Sequence, residues 1–338
     1  MSVDVRLPAA PRARSVVVWP VCGAVLLVLS IATLMVGRLA LGPGDIVDLI
    51  RGELGRSTEY AFTHIRAPRL LTAIGAGAAL GLSGALFRSA TRNPLGSPDV
   101  IGLSAGAGAG VAVFTLVAPG AVSAPVGSAV GVAAALLLVL LATGNGLSST
   151  SRIIIAGIGV AAIAGAVTNF VITTLMRDES SQLAAALVGS LNSRSMEHVL
   201  IVGAALVVAV PFLVIVSHRL NALELGDGLS AALGMRAGRT RAWAIVLSVA
   251  LLAGAVAVAG PVAFVALTAA NAAPRLSGRA GPNLVGAALT GAIVLVSADL
   301  LSQHLPGLAG LPVGVVTGLV GGVYLGFLLV AEWRKAGA

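Results

Sequence analysis

Lysine is almost missing from this chain: the only one, Lys335, stands three residues from the end. A Walker A loop needs a lysine after a glycine-rich turn, where it meets the β- and γ-phosphates, so no such loop can exist here. Cysteine is equally scarce. Cys22, alone in 338 residues, can form neither an internal disulfide nor a cysteine metal site; it lies in the first apolar run and reads as a small apolar side chain. The four histidines, His64, His198, His218 and His304, are scattered, and none has a ligand partner three or four residues on. Neither a metal site nor covalent chemistry is expected. Charge itself is thin, at 10% of residues. A soluble domain carries about 25%, because it must cover its surface with groups that water solvates.

What fills the chain instead is apolar. Such residues make up 57% of it, and the mean hydropathy is +1.02. Glycine is abundant at 43 residues without any collagen-like period, a density that suits close helix packing in a bilayer. The fold class expected is an all-α integral membrane protein. A helix needs about 20 apolar residues to cross a hydrocarbon core of about 30 Å, and that length sets the count. One span covers 15–37, too long for a signal-peptide core and without a good cleavage site, hence a retained anchor. A second runs from Pro68 to Phe87. The stretch between Asp99 and Arg152 holds no charge and is broken by Pro119-Gly120 and Pro125, which gives spans near 100–118 and 124–143. Spans at 153–175 and 198–216 follow. Ala242 to Pro274 is again uncharged; as one helix it would be roughly 50 Å long, and Gly260-Pro261 divides it, leaving a short eighth span at 261–274. Spans near 283–302 and 313–331 complete about ten. The domain organisation is a tail at 1–15, one transmembrane domain over 16–331 with an inner loop at about 219–240, and a tail at 332–338.

Charge placement gives the orientation. With both termini inside, the inner segments hold Arg6, Arg12, Arg14, Arg88, Arg92, Arg152, Arg219, Arg236, Arg239, Arg241, Arg275, Arg279, Arg334 and Lys335, which is 14 basic residues. The outer segments hold 7: Arg38, Arg51, Arg56, Arg66, Arg69, Arg177 and Arg194. Two to one satisfies the positive-inside rule, so the net charge of +8 needs no nucleic acid to explain it. Ion-coupled carriers usually place acidic or histidine side chains at mid-membrane. Here every charge falls at a helix end or in a loop. Asp299 comes closest to an exception and reads as a capping or hydrogen-bonding group near the outer end of the ninth span.

Four segments are not generic membrane sequence. Arg66-Ala67-Pro68-Arg69 stands at the outer mouth of span two, with the proline in the first helical turn. Its two arginines are expected to point into the water, as snorkelling side chains or as a docking site for an acidic partner. Thr91-Arg92-Asn93-Pro94-Leu95, followed by Gly102 to Ala107, joins spans two and three through an Asn-Pro turn. The inner loop from Asn221 to Arg239 is too apolar for a free linker. Residues 223–235 can form a short amphipathic helix ending at Gly234 and lying on the inner surface, either alone or docked on a partner. Gly260-Pro261 and Leu311-Pro312-Val313-Gly314 break helices at membrane-edge positions, where packed neighbours or a cavity must satisfy the backbone.

In this order, and together with Gly189 to Arg194 and Ala298-Asp299-Leu300, these segments resemble the FecCD-type permease subunits of ABC importers for iron-siderophores, haem and cobalamin. The resemblance covers about 16 to 331. It implies the architecture of a type II importer permease in the cell membrane: two permease subunits around one pathway, two ABC ATPases that use the ATP, and an extracytoplasmic substrate-binding lipoprotein or periplasmic protein. No cofactor on this subunit and no enzymatic activity of its own are implied. Arg66 matches the family arginine that pairs with a glutamate of the binding protein, and Arg69 lies one turn on. A second such arginine is replaced by Gln303, beside His304, which implies a different permease chain as the partner. The coupling segment that sits on the ATPase matches Leu223, Leu225, Gly226, Ala232, Leu233, Gly234 and Met235. Pro68, Asn93, Pro94, Gly260, Pro261, Pro312 and Gly314 match structural or pathway positions. The family segment after Gly-Pro carries a histidine or glutamine and two adjacent arginines; here it reads Ala269-Ala270-Asn271-Ala272-Ala273-Pro274-Arg275, with its proline displaced. A ferric siderophore is the first substrate expected, with haem or cobalamin as alternatives. An ion-coupled secondary carrier and a membrane scaffold that transports nothing remain rivals of other classes.

Overall fold

Long uncharged runs of alanine, leucine and valine can satisfy their backbone away from water only by bonding within their own helix. In the computed structural model every regular element among the described residues is indeed a helix. The structure describes residues 11–36, 42, 44, 45, 48, 51, 53–99, 101–117, 122–144, 150–175, 188–224, 226–232, 234–279, 281–305 and 310–336. Among the described residues twelve α-helices run in chain order: α1 Pro11–Met35, α2 Arg56–Ala61, α3 Ala67–Thr91, α4 Leu103–Ala112, α5 Ala124–Thr143, α6 Thr150–Leu175, α7 Met196–Glu224, α8 Asp227–Ala232, α9 Ala237–Ala259, α10 Val265–Ser277, α11 Leu284–His304 and α12 Val313–Ala336. Seven stretches are long and apolar enough to cross a membrane, and Leu103–Val117 and Val313–Phe327 are shorter apolar helices. With the 13-residue α10, a helix stands at each of the ten positions expected from the sequence.

The boundaries differ where hydrogen bonding outlasts hydrophobicity. Span two does not begin at Pro68. The helix starts at Arg56 and continues for 36 residues, passing the proline through a π-helical turn at Phe62–Arg66. A proline lacks an N–H and its ring clashes with the carbonyl four residues back. The widened turn, in which the Ala67 N–H bonds to the Phe62 carbonyl, opens the ladder just upstream of it. Span six likewise runs past 216, as α7 continues to Glu224. The inner loop therefore does not form one helix over 223–235. Gly226, at φ +102, ends α7, six residues make α8, and Gly234, at φ +75, turns the chain into α9.

α3 is the hub. It packs on α7, α9, α10 and α11, and 78% of its most apolar window is buried. Its contacts fix the direction of its neighbours: Arg69 meets Asp299, Gly77 meets Gly291, Gly81 meets Ala287, and Arg241 reaches the Ala90 carbonyl. α9 and α11 therefore run antiparallel to α3. The approach is backbone to backbone. A Cβ on Gly77 would stand 2.5 Å from the Gly291 carbonyl oxygen, and one on Gly81 or Gly84 would overlap the carbonyls of Ala287 or Ala266. Small residues permit this close packing, which in lipid replaces the missing hydrophobic drive between helices. Two serines lock the α3–α9 seam: Ser83 Oγ donates to the Ser248 carbonyl at 2.6 Å, and Ser248 Oγ donates to the Ser83 carbonyl at 2.7 Å.

Candidate functional site

The residues expected to act fall at three places: one end of α3, the α7–α9 connection, and a break in the middle of the bundle. At the first, the two arginines do not point into water. Arg66 is 8% exposed, and its Nη1 donates to the carbonyls of Thr33 and Val36, both at 2.8 Å. The last carbonyls of a helix have no partner within it and carry the negative end of its dipole. Arg66 supplies both the donors and the positive charge that the end of α1 requires. Arg69 turns to α11. Its Nε donates to both carboxylate oxygens of Asp299, at 3.1 and 3.0 Å, and its Nη2 donates to Oδ1 at 2.7 Å. Gln303 Nε2 donates to the other oxygen at 2.7 Å. The Asp299 side chain is 1% exposed and that of Arg69 20%. Asp299 is thus no helix cap but the centre of a fork-on-fork ion pair. Arg69 and Gln303 are brought together on one carboxylate, with Arg66 one turn from Arg69 and committed elsewhere.

At the second place the expected coupling residues separate. Leu223 is 1% exposed and belongs to the core of the bundle, so it offers no surface to a partner. Leu225 and Leu233 lie outside the described residues. Gly226 and Gly234 are the hinges of α8, Ala232 is exposed, and Met235 is half-buried. Ser230 pins the short helix back onto α7, its Oγ donating to the Ala222 carbonyl at 2.7 Å and to the Gly226 carbonyl at 2.8 Å. The Met235 N–H closes the turn on the Ser230 carbonyl. The apolar residue α8 does present is Leu229, 60% exposed, which the sequence reading had passed over. Its position between two turn glycines was the available signal.

The third place joins segments far apart in the chain. Gly189 takes φ +94, and its carbonyl accepts from the Gly314 N–H at 3.1 Å. The next N–H, of Ser190, donates to the Ala259 carbonyl at 2.8 Å. A Cβ on Gly189 would stand 2.8 Å from the Pro261 carbonyl oxygen, and one on Gly314 would overlap the Val188 carbonyl. Gly189 and Ser190 therefore lie between Gly260-Pro261 and Pro312–Gly314 and bond the backbone at each. The same segment holds Arg194, whose Nη2 and Nε donate to the Ser190 carbonyl; burial lowers its pKa from the ordinary arginine value.

Beside this junction two helices start partway through the bundle. The chain from Arg92 to Gly102 turns back inward, Gly102 lies against Ala161 near the middle of α6, and α4 starts there. α10 starts after Phe264, which holds φ +66, a region a bulky side chain enters at a cost of about 1–3 kcal/mol. Gly321 leaves the space that its Cβ occupies. Asp99, in the turn just before α4, accepts from Ser97 and Ser104. Its oxygens are engaged by the chain's own donors, which makes it a clasp rather than an open ion site. The altered Ala269–Arg275 segment does not disturb α10, which continues to Ser277. Asn271 Nδ2 ties it to the Pro94 carbonyl at 2.8 Å, and Asn93 Oδ1 accepts from the Leu95 N–H at 2.9 Å. Among the described residues no three His, Cys, Asp or Glu side chains cluster as a metal site would require.

Comparison with known proteins completes this description. Residues 25–331 match the FecCD transport family. Over 306 residues the chain is 40% identical to the ferric enterobactin transport system permease protein FepG of Escherichia coli (strain K12), covering 88% of this chain and 91% of that protein. It is 34% identical over 318 residues to the Fe(3+)-citrate import system permease protein YfmE of Bacillus subtilis (strain 168), covering 92% and 94%. With the hemin transport system permease protein HmuU of Yersinia pestis the identity is 30% over 325 residues, covering 90% and 96%. Among solved structures, an inward-facing metal-chelate type ABC transporter superposes with a TM-score of 0.80 at 24% identity, over 93% of this chain and 99% of that one.

Proposed function

This chain belongs to the FecCD transport family, and from that premise we propose that it forms half of the translocation pathway for a ferric siderophore in an ABC importer. It is a permease subunit, as its relatives are. The observation that carries the substrate class is the 40% identity with a ferric enterobactin permease along nearly the whole of both chains. Energy comes from separate ATPase subunits, since a chain whose only lysine is Lys335 has no Walker A loop. α8, with Leu229 exposed between its two glycine turns, is the surface offered to them. The two-to-one distribution of arginines supports a cytoplasmic side for α8 and both termini. The Arg66, Arg69 and Gln303 end then faces the binding protein.

A different permease chain completes the pathway. A two-fold homodimer repeats every docking position, so two copies of this chain would present Gln303 twice where the family carries an arginine. Gln303 is held on Asp299, a role that an amide fills without adding charge to the rim. The test is uptake into vesicles containing this chain, its neighbouring permease, the ATPases and the binding protein. Labelled ferric siderophore should accumulate with ATP, while labelled haem and cobalamin should not. Accumulation of haem or cobalamin alone would overturn the substrate assignment, and uptake without the ATPase subunits would overturn the importer class.

A further inference from the structure

The α7–α9 seam carries two adjoining cavities, the smaller of which reaches Gly234 and Met235 at the turn after α8. The larger, about 510 Å³, is an apolar groove lined along α7 from Ala205 to Arg219 and along α9 from Thr240 to Leu251, with Phe212 and Trp243 on its walls. Trp243 is 50% exposed. The smaller, about 260 Å³, opens at the α8 end and is walled by Arg219, Arg236 and Arg239. Arg219 and Thr240 line both, so one continues into the other. The three arginines are exposed, and among the described residues their guanidinium groups make no hydrogen bond or ion pair. Glu224, the acidic residue at the end of α7, is taken by Ser89 at 2.8 Å.

We propose that this seam is a binding site for one anionic phospholipid, with its phosphate among Arg219, Arg236 and Arg239 and an acyl chain in the groove beneath. Charge complementarity selects the occupant. Among the described residues no counter-charge meets the three guanidinium groups, which stand at one end of a groove whose remaining wall is apolar, and basic pockets between membrane helices bind acidic headgroups. Length agrees. From Arg219 to Ala205 is 14 residues of helix, roughly 21 Å, which exceeds the ~15 Å half-thickness of a hydrocarbon core. Trp243 adds the amphipathic ring that favours the level of the headgroups. Placing the lipid in the cytoplasmic leaflet rests on the orientation proposed above; the site itself does not.

The chain's three tryptophans make the test direct. Trp19→Phe with Trp333→Phe leaves Trp243 as this chain's only tryptophan, and the tryptophans of the partner subunits are replaced by phenylalanine as well. The importer is assembled with its ATPase subunits in bilayers of phosphatidylcholine. Phosphatidylglycerol or phosphatidylcholine with brominated acyl chains is then titrated in at equal mole fractions, and quenching of Trp243 is measured. Each basic residue near an acidic surface is worth about fivefold, so brominated phosphatidylglycerol should be preferred at least about fivefold. Replacing Arg219→Gln, Arg236→Gln and Arg239→Gln together should reduce the preference to near unity. Quenching by brominated phosphatidylcholine should persist in that variant, which shows that the groove still meets lipid and the protein is folded. Equal quenching by the two lipids before the arginines are changed would overturn the proposal. So would absence of quenching by either lipid in the assembled importer, because a protein partner would then cover the groove. An anionic preference in a complex that imports no siderophore would refute the proposed function and leave the lipid site standing.

Discussion

Asp299→Asn should unfasten α11 from α3 at one point while leaving the glycine seam below it in place. The carboxylate accepts three bonds from Arg69 at 2.7 to 3.1 Å and one from Gln303 at 2.7 Å, with the aspartate 1% exposed. An amide in its place turns one acceptor into a donor facing the guanidinium and leaves a cation without its partner. Removing one member of a buried pair costs about 3–5 kcal/mol. Arg69 keeps 20% exposure and can turn toward water, so the lower end, about 3 kcal/mol, is the expected loss. Replacing both residues, Arg69→Met with Asp299→Leu, should recover most of it, because an apolar pair avoids the desolvation that the ion pair suffers. Adding Arg69→Met and Asp299→Leu singly completes a double-mutant cycle that isolates the coupling. The assay is the fraction of detergent-solubilised protein still monodisperse after heating at a fixed rate, the fixed rate being needed because such unfolding is irreversible. If Asp299→Asn tolerates heat as well as the unsubstituted chain, or if the double change is worse than the single one, the account of this pair is wrong.

Three further outcomes are expected. Leu229→Asp should leave insertion and folding unaffected, since the side chain is exposed, but place an unpaired charge in the ATPase contact at a cost of several kcal/mol; retention of the ATPase on affinity purification with normal uptake would count against α8 as the coupling surface. Arg66→Glu should do two things at once, weakening binding-protein docking by about 2–5 kcal/mol and setting a negative charge against the carbonyl end of α1. Binding-protein affinity at two salt concentrations reports the first and heat tolerance the second, and loss of heat tolerance alone would make Arg66 a purely internal residue. Gly81→Val should prevent assembly of α3 with α11, because even a Cβ there overlaps the Ala287 carbonyl; a monodisperse, active variant would refute the close approach.

The sequence showed most clearly what lipid determines. Charge-free length located a helix at all ten positions, because hydrophobic run length is the quantity a bilayer measures. Helix ends were harder to place, since Arg56–Ala61 and Ser217–Glu224 continue their helices through polar residues that carry no hydropathy signal. Gly-Pro and Pro-x-Gly marked the breaks correctly, but nothing local told that residues 189, 261 and 314 meet. The site at the end of α3 was half legible. Arg66, Arg69 and Gln303 were singled out, whereas their partners lie 33, 230 and 4 residues away, and only the last distance is a helical one. Expecting the arginines in water followed from their place at a helix end. It failed because α1 ends there too, with carbonyls that need donors.

The burial of α3 has a consequence for how the protein is made. α3 is the second long helix to leave the ribosome, yet the surfaces that close on Gly77, Gly81 and Gly84 belong to α10 and α11. The last of these is finished at His304, roughly 200 residues after Thr91. At bacterial-type elongation of about 5–20 residues per second, α3 waits some ~10–40 s with its narrow glycine face turned to lipid or to whatever attends the nascent chain. It is also a modest candidate for unaided insertion, with a mean hydropathy of 1.8 against 3.1 for α7. The helix that organises the finished bundle is therefore the one whose early life depends on company, and a chain stopped before α11 leaves its centre built but unclaimed.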